Sequence, residues 1–197
     1  KVEGLSATDS YRAIQYAQIV VLVLDGNLML EKQDLTIARQ VIEEGRVLMI
    51  AVNKWDAVKD RKQALQDLDD RLQTSLPQVR GIPIITLSAL TGKNTDKLIP
   101  AAFKIFEIWN RRIPTGKLNQ WLEMMTERHP PPMSSGRRIR IRYMTQAKTR
   151  PPTFVIFSSK GNALPEAYRR FLVNGIREDF DLPGVPIRVL VRKGNNP

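Results

Sequence analysis

The chain has 197 residues, 42% hydrophobic and 26% charged, with 31 Lys and Arg against 20 Asp and Glu for a formal net charge of +11. That length allows one large domain or two small ones, and the composition excludes disordered and collagen-like classes. The absence of cysteine excludes a disulfide framework and any thiolate zinc site, and the longest apolar run, Ile19 to Leu24, is too short to span a bilayer. No charged segment followed by an apolar stretch opens the chain, so it reads as soluble and cytoplasmic; since it does not begin with Met, it also reads as cut at its N-terminus.

Charge is unevenly placed. Residues 1–112 carry 16 basic and 14 acidic side chains (+2), and residues 113–197 carry 15 and 6 (+9). We expect a domain boundary near there: 1–112 an α/β domain, 113–197 a small basic one. The first part alternates helix and strand. Residues 6–17 begin with Ser6 and Asp9 in capping-box spacing and place Ala7, Tyr11 and Ile14 on one side. The run 19–24, ending at Asp25-Gly26, suits a strand covered on both faces, as in a parallel sheet. A helix over about 32–44 follows, stopped by Gly45. Val47 to Val52 is a second buried strand, Leu65, Leu68 and Leu72 mark a helix, 82–87 is a third strand, and Leu98 to Trp109 is a long helix. Strands separated by helices imply right-handed crossovers and a doubly wound α/β sheet.

Ligands of such sheets sit at the carboxyl ends of the strands. Strand 47–52 runs into Asn53-Lys54-Trp55-Asp56, and strand 82–87 runs into Ser88-Ala89-Leu90. The chemistry suggested is a guanine pocket. A carboxylate at Asp56 can accept hydrogen bonds from the N1–H and exocyclic N2–H₂ of guanine, whereas adenine offers no such donor pair and would leave a buried carboxylate unpaired. Lys54 can lay its aliphatic stem over the base, Asn53 can tie the two loops together, and the Ala89 N–H can donate to guanine O6. N-K-x-D alone is a weak motif; its position after a buried strand, with Ser-Ala after the next, makes it strong. The plainer reading is a polar turn with a helix cap.

Ile113-Pro-Thr-Gly116 breaks the long helix and serves as the junction. Leu118, Trp121, Leu122 and Met125 then form an apolar stripe read as core. His129, the only histidine, precedes three prolines and is read as capping or solvent-exposed rather than catalytic. In Arg137 to Tyr143, strict alternation puts Ile139, Ile141 and Tyr143 on one face and Arg138, Arg140 and Arg142 on the other. Thr153–Phe157 is the next strand. A helix over about 165–179 buries Tyr168, Phe171, Leu172 and Ile176 with Arg169, Arg170 and Arg177 outward. A last strand, 187–192, sets Arg188 and Arg192 opposite Ile187, Val189 and Val191. The order is α-β-β-α-β, compatible with a KH-like fold. Guanidinium groups gathered on one sheet face suit phosphates of RNA, or an acidic neighbouring domain.

The motifs Asn53-Lys-Trp-Asp56 and Ser88-Ala-Leu90, with Val21-Leu-Val-Leu-Asp25 and Glu31-Lys-Gln-Asp34, resemble those of a translation-factor-class GTPase domain. The chain is most similar to the second G domain and following KH-like domain of the Der (EngA) family, bacterial GTPases with tandem G domains. Pro152 to Phe157, Leu164 to Tyr168 and Gly184 to Arg188 carry that resemblance in the second part. It implies a P-loop GTPase-type parallel sheet, GTP and GDP as ligands, Mg²⁺ as cofactor, preceding G domains of the same protein, and work on the large ribosomal subunit or its rRNA during assembly. Guanine contacts fall on Asn53, Lys54, Asp56, Ser88, Ala89 and Leu90, and the RNA or docking face on Arg138, Arg140, Arg142, Arg188 and Arg192.

Three departures from the family patterns stand out. No G-x-x-x-x-G-K-[ST] loop occurs in the sequence, and the literal Asp-x-x-Gly at Asp181 to Gly184 falls in the basic part between a helix and a strand, where it reads as a turn. The KH backbone clamp G-x-x-G is also absent, since Gly161-Asn-Ala-Leu164 lacks the second glycine. The chain thus reads as the base-recognition half of a G domain, unable to hydrolyse GTP alone, with no catalytic residue and no magnesium ligand of its own. The alternative is a non-catalytic basic RNA-binding adaptor whose α/β half is structural.

Overall fold

A computed structural model describes residues 9, 11–134, 137–159 and 164–194. The chain divides into two compact units, Lys1–Ile108 with Pro183–Pro186, and Trp109–Leu182 with Ile187–Pro197. The expected capping box at Ser6 and the residues 161–163 lie outside the described residues.

In the first unit a short helical segment over 11–16 (α1) precedes β1 (Ile19–Asp25), α2 (Lys32–Glu43), β2 (Val47–Asn53), α3 (Arg61–Ser75), β3 (Ile84–Thr86), a single 3-10 turn (Thr95–Lys97) and α4 (Leu98–Trp109). The strands are parallel in the order β1-β2-β3, so their carboxyl ends share one edge, with Asp25 opposite Asn53. Helix α2 starts in a capping box in which the Glu31 N–H donates to Asp34 Oδ2 at 2.8 Å, and it buries Ala38, Val41 and Ile42. Asp60 caps α3 by accepting the Gln63 N–H at 3.0 Å, which aims Leu68 and Leu72 into the core; Leu65 stays on the exposed side.

Only β2 is buried along its length, from Val47 to Val52. The run 19–24 was expected to be covered on both faces, but among the described residues β1 pairs only with β2, and Val23 is 60% exposed. The third strand is also shorter than 82–87. Pro83 has no N–H to add to the ladder, although its carbonyl accepts the Ile50 N–H at 2.9 Å.

The second unit holds α5 (Thr115–Arg128), a two-residue ladder of β4 (Met133–Ser134) with β5 (Arg137–Arg138), then β6 (Ile141–Lys148), β7 (Thr153–Ser158), α6 (Glu166–Asp179) and β8 (Arg188–Lys193). β6 pairs antiparallel with β7, and β7 parallel with β8. Leu118, Trp121, Leu122 and Met125 are buried, as the stripe predicts. The two helices approach closely at Gly175, where a Cβ would lie 2.9 Å from Trp121 Cζ2 and from Met125 Cε. Tyr168 ties α6 to the end of α5 by donating its hydroxyl to the His129 carbonyl at 2.6 Å, and burial pushes its phenol up to about 12. His129 itself is exposed, its ring edge-on to Phe171.

Three expectations fail here. The strand placed at 137–143 lies instead at Ile141–Lys148. Its register slips between Ile141 and Tyr143, a bulge that sends Met144 and Gln146 inward and leaves Tyr143 39% exposed on the opposite face. A one-residue slip of that kind reverses every later side chain. Finally, Arg177 is not outward: it is buried, and its guanidinium donates to the Leu182 carbonyl at 3.0 Å, satisfying the chain as it leaves α6.

Candidate functional site

The parallel sheet brings the ends of β1, β2 and β3 together, and two loops leave from them, one over residues 53–58 and one over 87–94. They are stitched by backbone bonds: Trp55 N–H donates to the Leu87 carbonyl at 3.1 Å, and Leu87 N–H to that of Val52 at 2.9 Å. Asn53 completes the joint. Its Oδ1 accepts the N–H of Lys54 at 2.8 Å and the N–H of Ala89 at 2.9 Å, bridging the loops as its position suggests. The Ala89 N–H assigned by sequence to guanine O6 is therefore directed at Asn53 here.

Ser88 is 1% exposed, its Oγ accepting the Thr91 N–H at 3.2 Å. A hydrogen bond from the Ser88 hydroxyl holds the Asp56 carboxyl below the usual carboxylate range, with Asp56's own backbone N–H and the Arg61 guanidinium adding to the effect against partial desolvation. Asp56 was read as a buried carboxylate; it is exposed in the loop after β2, between the buried Trp55 and Val58, and Leu90 projects with 89% exposure. Trp55, Asp56, Arg61, Leu87, Ser88 and Thr91, with Lys93 and Asn94, line a cavity of about 350 Å³. Asn94, in the left-handed region at φ 61°, donates its amide to the Thr86 carbonyl at 2.9 Å and so pins the far wall.

The sequence reading gave Asp25 no role in the site. Lys54 sits at φ 56°, an uncommon conformation for a side-chain-bearing residue, and its Nζ lies 2.7 Å from Asp25 Oδ2. The ion pair lowers the Asp25 carboxyl, helped by the Asn27 N–H, and raises the Lys54 amine. The register pairing Asp25 with Asn53 makes this contact possible, and only the arrangement of the strands reveals it. Gly26 lets the β1 turn close on the same loop: its N–H donates to the Asn53 carbonyl at 2.8 Å, and a Cβ would meet Val58 Cγ2 at 2.6 Å and that carbonyl at 3.0 Å.

On the second unit, Arg188 and Arg192 project from one face of β8, alternating with the half-buried Val189 and Val191. Arg140 and Arg142 are exposed on the approach to β6 and at its bulge; the side chain of Arg138 lies outside the described residues. Among the described residues no cluster of three or more His, Asp or Glu could hold a metal ion, and no helix is long and apolar enough to cross a membrane.

Residues 7–108 match the Elongation factor Tu GTP binding domain, and residues 112–192 match the KH-domain-like family of EngA bacterial GTPase enzymes, C-terminal. The class is thus a mixed α/β GTP-binding domain of the P-loop GTPase type followed by a KH-like domain. The chain is 51% identical over 197 residues to GTPase Der of Parvibaculum lavamentivorans, covering 100% of itself and 42% of that relative. It is 55% identical over 192 residues to GTPase Der of Jannaschia sp., covering 98% and 40%. The chain belongs to the Der (EngA) family of bacterial GTPases and spans about two fifths of the length of these curated relatives. Among solved structures, Era of Aquifex aeolicus bound to GDP and aluminium fluoride aligns at a TM-score of 0.41 and 15% identity, over 94% of this chain and 69% of that one.

Proposed function

We propose that residues 1–112 form the guanine-recognition half of a G domain in a Der-type GTPase, and that residues 113–197 form its KH-like module. The observation that carries the reading is the loop joint at Asn53, which sets Asp56 and Ser88 on one cavity at the carboxyl edge of a parallel sheet.

In this reading Asp56, ionised and oriented by Ser88, accepts the N1–H and N2–H₂ of guanine, and a bound base desolvates it. Adenine would bury the carboxylate without donors. Lys54, held by Asp25, lays its stem along the base plane, Leu90 covers the rim, and Ala89 shares its N–H between Asn53 and O6. Phosphate-loop and magnesium chemistry fall outside this chain's own residues, so no hydrolytic step is assigned to them and the chain alone is expected to be inactive. Hydrolysis belongs to the whole protein, in the cytoplasm, in assembly of the large ribosomal subunit. Arg138, Arg140, Arg142, Arg188 and Arg192 supply contacts to rRNA phosphates, or to a preceding G domain.

Calorimetric titration with nucleotides tests the first claim. GDP and GTP should bind the complete protein in strong preference to ADP and ATP, and Asp56→Asn should weaken guanine while admitting xanthine nucleotides, whose oxygen at C2 accepts where guanine donates. Equal affinity for adenine nucleotides would end the reading.

A further inference from the structure

The turn after β1 is built around Asp25, whose two carboxylate oxygens serve two different partners. Oδ1 accepts the Asn27 N–H at 2.9 Å, with the Asn27 side-chain amide at 3.4 Å, and so shapes the turn. Oδ2 faces across to the next strand and lies 2.7 Å from the Lys54 Nζ. Lys54 is presented there by its own backbone. It stands in the left-handed region at φ 56°, and its N–H is held by Asn53 Oδ1 at 2.8 Å. The ammonium is thus fixed at Asp25 and the backbone at Asn53, so the methylenes between them are held at both ends. The Lys54 side chain is still 63% exposed, which leaves its stem open to a flat ligand. A lysine with a free head spreads over many rotamers, and a base stacking on it would have to fix them on binding.

We propose that Asp25 is a positioning residue for the guanine nucleotide: it fixes Lys54 in place before the ligand arrives, so that Lys54 offers the base its stem and not its charge. Asp25 acts only through Lys54. The division of its oxygens makes this role separable from the turn. Asp25→Asn keeps an acceptor for the Asn27 N–H and loses the partner of the ammonium. The inference rests on the guanine-recognition reading above and deepens it.

Calorimetric titration of the complete protein with GDP tests it, at the site whose binding Asp56→Asn weakens. Asp25→Asn should weaken GDP roughly three- to fivefold, the upper range for an ion pair open to water, and Asp25→Glu should recover part of the loss. The loss should shrink toward nothing in about 1 M salt, which screens the ion pair and leaves the hydrogen bonds of the turn in place. In a Lys54→Met background, which keeps an unbranched stem and removes the ammonium, Asp25→Asn should have no further effect. If Asp25→Asn leaves GDP affinity unchanged, or costs as much with Met at position 54 as with Lys, Asp25 serves the turn alone; the inference then falls while guanine recognition stands. If the wild type binds ADP as tightly as GDP, the guanine reading falls and this inference with it.

Discussion

Asp56 can accept from guanine only as a carboxylate, so its ionisation sets the acid limit of the proposed recognition. The Ser88 hydroxyl holds that carboxyl below its ordinary value. Guanine binding should therefore persist as pH falls through the ordinary carboxylate range and fail only at lower pH, where the folded-state group protonates. In Ser88→Ala the carboxyl loses its largest stabilising hydrogen bond and titrates at higher pH, so binding should begin to fail earlier on acidification. Carbon-13 NMR of the Asp56 carboxyl, followed with GDP affinity over the same pH series, measures both, and coincident titrations of variant and wild type would remove Ser88 from this role. The two loops that carry Asn53, Lys54, Asp56, Ser88 and Ala89 were legible in the sequence as strand ends, because a strand followed by a short motif is a local pattern. Asp25 was not legible as a partner, because its ion pair with Lys54 crosses between strands 29 positions apart and depends on their register.

Elements rather than single side chains position that site. The β1 turn and the loop after β2 touch at Gly26, with no room for a methyl group between the Asn53 carbonyl and Val58. Gly26→Ala should destabilise the first unit by about 2 kcal/mol through overpacking. By pushing the 53–58 loop away from β1, it should also cost roughly tenfold in guanine-nucleotide affinity, about 1.4 kcal/mol. Denaturant unfolding and nucleotide titration check the two effects, and unchanged affinity at reduced stability would separate the turn from the site. Helix positions follow from apolar spacing and caps, as at Asp60 and at the Glu31–Asp34 box. The strand at 137–143 misleads for a physical reason: alternating Arg and Ile satisfies the two-residue period, yet pairing with β7 starts at Ile141 and slips one residue later. Arg177 misleads in the same way, since helical spacing puts it outward and the Leu182 carbonyl draws it in.

At the scale of the whole molecule, the charge of +11 divides into nearly neutral and strongly basic parts. If the basic part neutralises RNA phosphates, replacing Arg140, Arg142 and Arg192 with Ser should reduce the salt slope of ribosome association by about two units, with little change in guanine affinity. Sedimentation with large subunits across a salt series reads this directly; an unaltered slope would favour docking on a neighbouring domain. The order of helices and strands, the division of charge, the two polar motifs at strand ends and the family resemblance were determined by sequence alone, because each is carried by residues close together along the chain. The tertiary structure alone decided that Val23 on β1 is exposed, that Asp25 holds Lys54, that Ala89 donates to Asn53 and that Tyr143 faces outward on Phe157. Each of these depends on which backbone lies alongside and in what register, and periodicity within a single segment carries no information about its partner.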